Sequence, residues 1–278
     1  MQGFLVALLV SFSLGQKPPD IHSVVRRAMD YVAAYEAALG NLIGTENYLQ
    51  RVAWSSGKTE TRITSSDYLI VRVGPKWMGV RDVNTVDGSP VPKNRKGFES
   101  AFGTSPSGNL SLLNSMKADS AQYNIGDILR DTNLPTFTLQ VLEKDQAPRF
   151  AFKKMGTETI GNVETWQVRF EEKKGSTLVR NTRGENLFST GTLWIDPENG
   201  RVLKTEFLLT NKVVKPPIVS RMTVTYVEGA KLSMLVPETM FESYLTRNFS
   251  IDCRADYLDF RSFQVDVQFD FNSPKPLE

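Results

Sequence analysis

The side chains that most often carry acid–base or nucleophilic chemistry are scarce here, with one histidine, His22, and one cysteine, Cys253, in 278 residues. An imidazole-based triad or a zinc site usually needs several such groups, and this chain cannot supply them. His22 follows Asp20 in what reads as the first turn of a helix, and is expected on that helix's face. Cys253 sits in a strand-like run and is expected as a small buried apolar residue. A lone cysteine forms no internal disulfide, so stability must come from packing. Two carboxylates could hydrolyse glycosides without a histidine. The pairs Asp252 with Asp256 and Asp266 with Asp270, however, each lie on the polar face of a single strand, as solvated surface residues do. The loop Gly103 to Gly108 lacks the lysine of a phosphate loop, and neither a nucleophile elbow nor a dinucleotide fingerprint occurs. No enzymatic activity, metal or cofactor is expected, the one enzymatic alternative being a histidine-free hydrolase whose two carboxylates the tertiary fold would bring face to face in a polar cleft.

Charge restricts the partners. The 33 basic residues nearly balance 31 acidic ones. Nucleic acid is not an expected partner, because phosphate neutralisation needs a concentrated basic face. Lys93, Asn94, Arg95, Lys96 and Phe98 interleave basic and aromatic groups in a way that suits anionic headgroups or glycans, although a solvated loop is the reading such a run favours. Asn109 and Asn248 stand in acceptor patterns for N-glycosylation, which occur often by chance. Residues 1–15 carry no charged side chain. Their apolar run, Phe4 to Val10, is too short to span a bilayer, and Ser13 and Gly15 provide the small residues a signal peptidase requires. The expectation is a signal peptide over 1–15 and a mature chain, 16–278, with no transmembrane segment, in the periplasm or secreted.

Such a chain needs elements that build a core. After Pro18 and Pro19, Asp20 is a good N-cap, and apolar residues recur at Ile21, Val24, Val25, Ala28, Met29, Val32, Tyr35 and Leu39. That is one amphipathic helix with a stripe to cover, ended by Gly40 or Gly44. From Tyr48 onward the period becomes two. Strands are expected over Tyr48–Trp54, Glu60–Val73, Trp77–Val83, Arg149–Lys154, Trp166–Phe170, Met222–Tyr226, Leu235–Tyr244 and Cys253–Phe260. A hairpin is expected between Thr192 and Leu209, turning at Pro197 and Gly200. The sharpest alternation is the last, Phe263 to Phe271. Alternation of this kind indicates antiparallel pairing. Residues 90–135 differ, being rich in Ser, Asn and Gly. This inserted loop or helical segment is expected to hold a short helix after Gly108 and another over Gly97 to Phe102, and segments of this kind serve as lids or as plain caps.

The order helix, then strands carrying Trp194-Ile195-Asp196-Pro197 with Gly200-Arg201-Val202-Leu203-Lys204, then Val236-Pro237-Glu238-Thr239-Met240, resembles the outer-membrane lipoprotein-sorting superfamily. That group includes the periplasmic lipoprotein carrier and the lipid-binding region of a periplasmic stress sensor. The resemblance spans Val163 to Phe271 and, by pattern, the opening helix. It implies a mainly β domain with few helices, a curved, unclosed antiparallel sheet forming a half-barrel around the N-terminal amphipathic helix, with a cavity for acyl chains. On this reading the chain is an exported, non-enzymatic binding protein for a lipid, an acyl chain or a lipidated protein. Phe150, Phe152, Trp166, Phe170 and Phe207 are then the expected lining, or else ordinary core. The alternative is a protein-interaction or envelope-sensing module on the same scaffold with no ligand.

Overall fold

The computed structural model describes residues 19–263 except 40, 74–75, 93–108, 129, 131–132, 174, 182 and 212–216. Helix α1 spans Ile21–Ala38. Asp20 is extended, and its carboxylate accepts the Ser23 N–H at 2.9 Å, which satisfies one of the first-turn donors that has no intrahelical partner. The apolar spacing buries Val24, Val25, Ala28, Val32 and Tyr35 on one stripe. Leu39 caps the C-terminus in a right-handed conformation, and the chain enters strand β1, Asn41–Trp54, almost at once. Gly40 lies outside the described residues. Gly44 sits within β1 rather than ending the helix; a Cβ there would lie 2.8 Å from the Phe260 ring and 2.9 Å from the Leu258 carbonyl. The glycine permits this close approach between neighbouring strands.

The remaining strands are β2 Thr59–Val73, β3 Lys76–Val86, β4 Ser89–Pro90, β5 Phe150–Ile160, β6 Val163–Glu172, β7 Val179–Arg180, β8 Asn186–Leu187, β9 Ser189–Ile195, β10 Val202–Asn211, β11 Ile218–Glu228, β12 Leu235–Leu245 and β13 Phe249–Phe263. Eleven of the thirteen form one antiparallel sheet in the order β4-β3-β2-β1-β13-β12-β11-β10-β9-β6-β5, while β7 and β8 pair separately. The expected strands lie on observed ones, with Arg149 one residue before β5. The expected strand Phe263 to Phe271 reaches the described residues only at Phe263, where β13 ends. The expected signal peptide and the helix over Gly97 to Phe102 lie outside the described residues altogether.

Laid flat, eleven strands would span about 50 Å at the usual strand spacing. A single helix is only about 10 Å across. Yet the stripe of α1 and inward side chains from β2 round to β5 form one core cluster. The sheet therefore curls around α1 and stops short of closing, with β3–β4 and β5 as its two edges. The Asp196 to Gly200 turn clasps the helix from one end. Gly200 has φ +79°, and a Cβ on it would fall 2.4 Å from the Arg27 backbone, while the Arg27 guanidinium donates to the Pro197 carbonyl. The Ile-Asp-Pro-Glu-Asn-Gly run is thus a joint between hairpin and helix.

Helix α2, Asn109–Ala121, covers part of the outer face, laying Leu113 and Met116 over Ile43, Leu69, Val71 and Val80. From Gln122 the chain crosses to the inner side. Its described residues there form neither helix nor strand before a six-residue 3-10 turn, Phe137–Leu142, packed between α1 and β10, and a second turn, Ala147–Arg149.

Candidate functional site

The concave face is divided in two. Its first half, on β1, β2, β12 and β13, carries polar side chains where the pleat points inward. Glu46 is fully buried and takes a bidentate ion pair from Arg81, whose guanidinium also lies over the Tyr48 and Tyr68 rings at 5.0 and 5.2 Å. Glu242, 3% exposed, accepts the Tyr48 hydroxyl at 2.8 Å on one oxygen and the Tyr244 hydroxyl at 2.6 Å on the other. Burial, reinforced by the Glu242 carboxylate, holds both phenols well above their usual pKa and so keeps them as donors. Arg130, 4% exposed, reaches in from the crossing segment, donating to the Tyr48 hydroxyl, the Gln50 amide oxygen and the Ile125 carbonyl. The Gln50 amide in turn donates to the Tyr123 carbonyl and accepts from the Ile125 N–H. Two arginines and two glutamates compensate one another inside the sheet, and the network pins Tyr123, Ile125 and Arg130 to β1.

The second half, on β5, β6, β9 and β10, is aromatic. Phe152, Phe170, Gly191 and Phe207 are successive cross-strand partners in one row. A Cβ on Gly191 would sit 2.5 Å from the Phe170 ring, so the glycine makes room for it. Phe150 meets Phe170 edge-on at 5.7 Å, and Phe137 from the 3-10 turn meets Phe207 edge-on at 5.3 Å. Such pairs contribute about 0.5–1.5 kcal/mol beyond their area. Of the five expected lining residues, Phe150, Phe152, Phe170 and Phe207 therefore share one cluster. Trp166 lies farther along β6 beneath the Lys154 ammonium, 3.4 Å from its ring centroid. All but Phe152 are buried, and Phe152 is half-buried.

Where the two sheet edges fail to meet, a cleft of about 920 Å³ opens. Trp77, Met78 and Gly79 of β3 line one side. Arg149, just before β5, and Ser176 to Arg180, just after β6, line the other, with Leu134, Phe137 and Gln140 at its back. None of the five expected residues lines it. Phe137 belongs to both places, bordering the cleft and touching the Phe207 ring. A smaller cleft of about 460 Å³ lies between β3 and α2 and includes Asp82, Val83, Leu112 and Asp119.

The other chemical candidates are dispersed. Asp252 is exposed on the outer face, and Asp256 pairs with Arg254 at 2.8 Å beside it. Cys253 is buried, and burial pushes its thiol up to about 12. Among the described residues no three His, Cys, Asp or Glu side chains converge to hold a metal, and no helix is long and apolar enough to cross a membrane.

No protein-family model matches the chain, and no curated protein matches it. Solved structures do. The chain is similar to outer-membrane lipoprotein-sorting domains. A domain so described from Vibrio parahaemolyticus is 13% identical over 89% of this chain and 95% of its own, with a TM-score of 0.43. A DUF1329 family protein from Desulfovibrio piger is 10% identical over 88% and 95%, TM-score 0.40. A LolA superfamily protein from Nitrosomonas europaea is 11% identical over 87% and 93%, TM-score 0.34.

The buried ionic network was not among the expected features. Its sequence signal is a strand whose inward positions break the rule of apolar inside. In β1, Glu46, Tyr48 and Gln50 occupy the inward parity between Leu42 and Val52, and in β12 Glu242 stands between Met240 and Tyr244.

Proposed function

We propose that this protein is a non-enzymatic binding protein of the periplasm or the secreted space, which takes an acyl chain or similar apolar ligand into the aromatic half of its curved sheet. One observation carries the reading: Phe137 both lines the open seam cleft and meets Phe207, the first ring of the Phe207–Phe170–Phe150 cluster. Phe137 is the half-buried first residue of a 3-10 turn whose later residues Thr138, Leu139, Val141 and Leu142 are buried, so its ring can turn aside while the turn stays anchored. A tail that displaces this ring meets aromatic surface at once, and each methylene it buries gains about 0.8 kcal/mol. Phe150, Phe152, Phe170 and Phe207 would then line the tail, with Trp166 at its far end. Native mass spectrometry of the gently purified chain is the test. About one acyl ligand per chain supports the reading, and a chain that is empty and stays empty when titrated with oleate contradicts it.

A second reading as a protein-interaction module draws on the outer face. Ile63 and Leu49 are exposed cross-strand partners, and Phe241 is exposed two strands away, across Arg254. Such a row suits a protein contact.

A further inference from the structure

The seam cleft has a charged end. Arg149 donates to the Ser176 carbonyl, and Arg180 donates to the Ser176 hydroxyl at 2.9 Å, so two guanidinium groups converge on one residue. Ser176 adopts φ +54°, a left-handed conformation uncommon for a residue other than glycine. Its positive φ belongs to the same turn that brings the two arginines together. Among the described residues neither guanidinium has a carboxylate partner, and each donates instead to an uncharged oxygen of Ser176. Glu143 and Asp145 also line the cleft, along with Lys117, which leaves the lining with one net positive charge. Asp145 is engaged by the Gln146 amide at 2.7 Å. Beside the arginine pair the walls turn apolar, through Trp77, Met78, Leu134, Phe137 and Leu178.

An arginine presents a planar fork of donors suited to a carboxylate or a phosphate, and forms its strongest hydrogen bonds with such oxyanions. We infer that the seam cleft binds an anionic amphiphile, with its carboxylate or phosphate held by Arg149 and Arg180 and its tail directed past Phe137. The inference rests on the proposed binding function and adds the class of ligand and the residues that choose it. Anionic lipid would be preferred over neutral lipid of equal chain length.

Oleate and oleyl alcohol share a tail and differ in the head, so titrating each into the full-length chain, followed by calorimetry, isolates the charge. The native chain is expected to bind oleate about tenfold more tightly than the alcohol. In Arg149→Gln/Arg180→Gln that ratio should fall to within about twofold. Arg180→Gln alone, at an exposed residue, should lower the ratio part of the way and keeps the test open if the double variant folds poorly. Equal affinity for both ligands, or an oleate preference that survives both substitutions, overturns the inference and leaves the binding function standing. Failure to bind either ligand removes both. Inorganic phosphate at millimolar concentration should not displace oleate; displacement would mark a plain anion site and overturn the amphiphile assignment.

Discussion

Arg130 donates from Nη1 to the Gln50 amide oxygen at 2.7 Å, joining residues eighty positions apart in the sequence. Through this contact, and through the Tyr48 hydroxyl 3.1 Å away, a crossing segment without regular structure is fixed to a central strand. Arg130 thus stands shortly before the 3-10 turn whose Phe137 borders the seam cleft.

Arg130→Met keeps the stem and removes the donors. It should lower stability by about 2–3 kcal/mol, because a buried Gln50 oxygen and the Ile125 carbonyl lose a charged partner. Chemical denaturation measures the loss, and hydrogen exchange should show residues 123–130 opening first. Arg254→Met on the outer face should stay within about 0.5 kcal/mol.

Glu242→Gln should cost about 3 kcal/mol, since it leaves Arg81 and Arg130 facing a single carboxylate inside the sheet. The Arg130→Met/Glu242→Gln double variant should be less destabilised than the sum of the two, by about 1 kcal/mol or more, because the first change removes the charge that the second leaves uncompensated. Strict additivity would show that the two groups do not communicate through Tyr48.

Gly200→Ala should destabilise the chain by about 2 kcal/mol or more, since it combines a positive φ with a Cβ placed against the Arg27 backbone. Gly57 also has a positive φ but faces open space, so Gly57→Ala should cost about 1 kcal/mol. A comparison of thermal melts separates backbone strain from the lost contact with α1.

Cys253 should resist thiol reagents at pH 8 in the folded chain and react once the chain is unfolded in denaturant. Burial has raised its pKa to about 12, so the thiolate is scarce below that pH. The shift favours the protonated thiol in the folded state. Its contribution to stability is complete below the unfolded thiol's pKa and is lost as pH rises towards about 12. Cys253→Ala should remove this part of the alkaline loss of stability.

The sheet was legible because its outer positions are polar and its inner ones apolar over most strands, as Trp166, Val168 and Phe170 illustrate. Helix α1 was legible from its cap and stripe. The aromatic row was legible as a set of inward residues, although periodicity within single strands could not reveal that Gly191 stands between Phe170 and Phe207. The ionic network was hidden for the opposite reason. Glu46 and Gln50 lie on the inward side of β1, where a polar residue breaks the apolar alternation, so the strand is readable only from Tyr48 although it begins at Asn41. Arg130 and Phe137 fall in a stretch with no period, and only tertiary contacts give them a role. The cleft joins residues from β3 and from the segment after β6, and no local pattern relates them.

A photoreactive fatty acid with its diazirine near the chain end tests most directly whether a ligand tail lies behind Phe137. After irradiation of the full-length chain and proteolysis, labels should map to Phe137, Phe207, Phe170 and their neighbours on β6 and β10. Labels confined to the outer row of Ile63, Leu49 and Phe241, or no label above that of a denatured control, would contradict it.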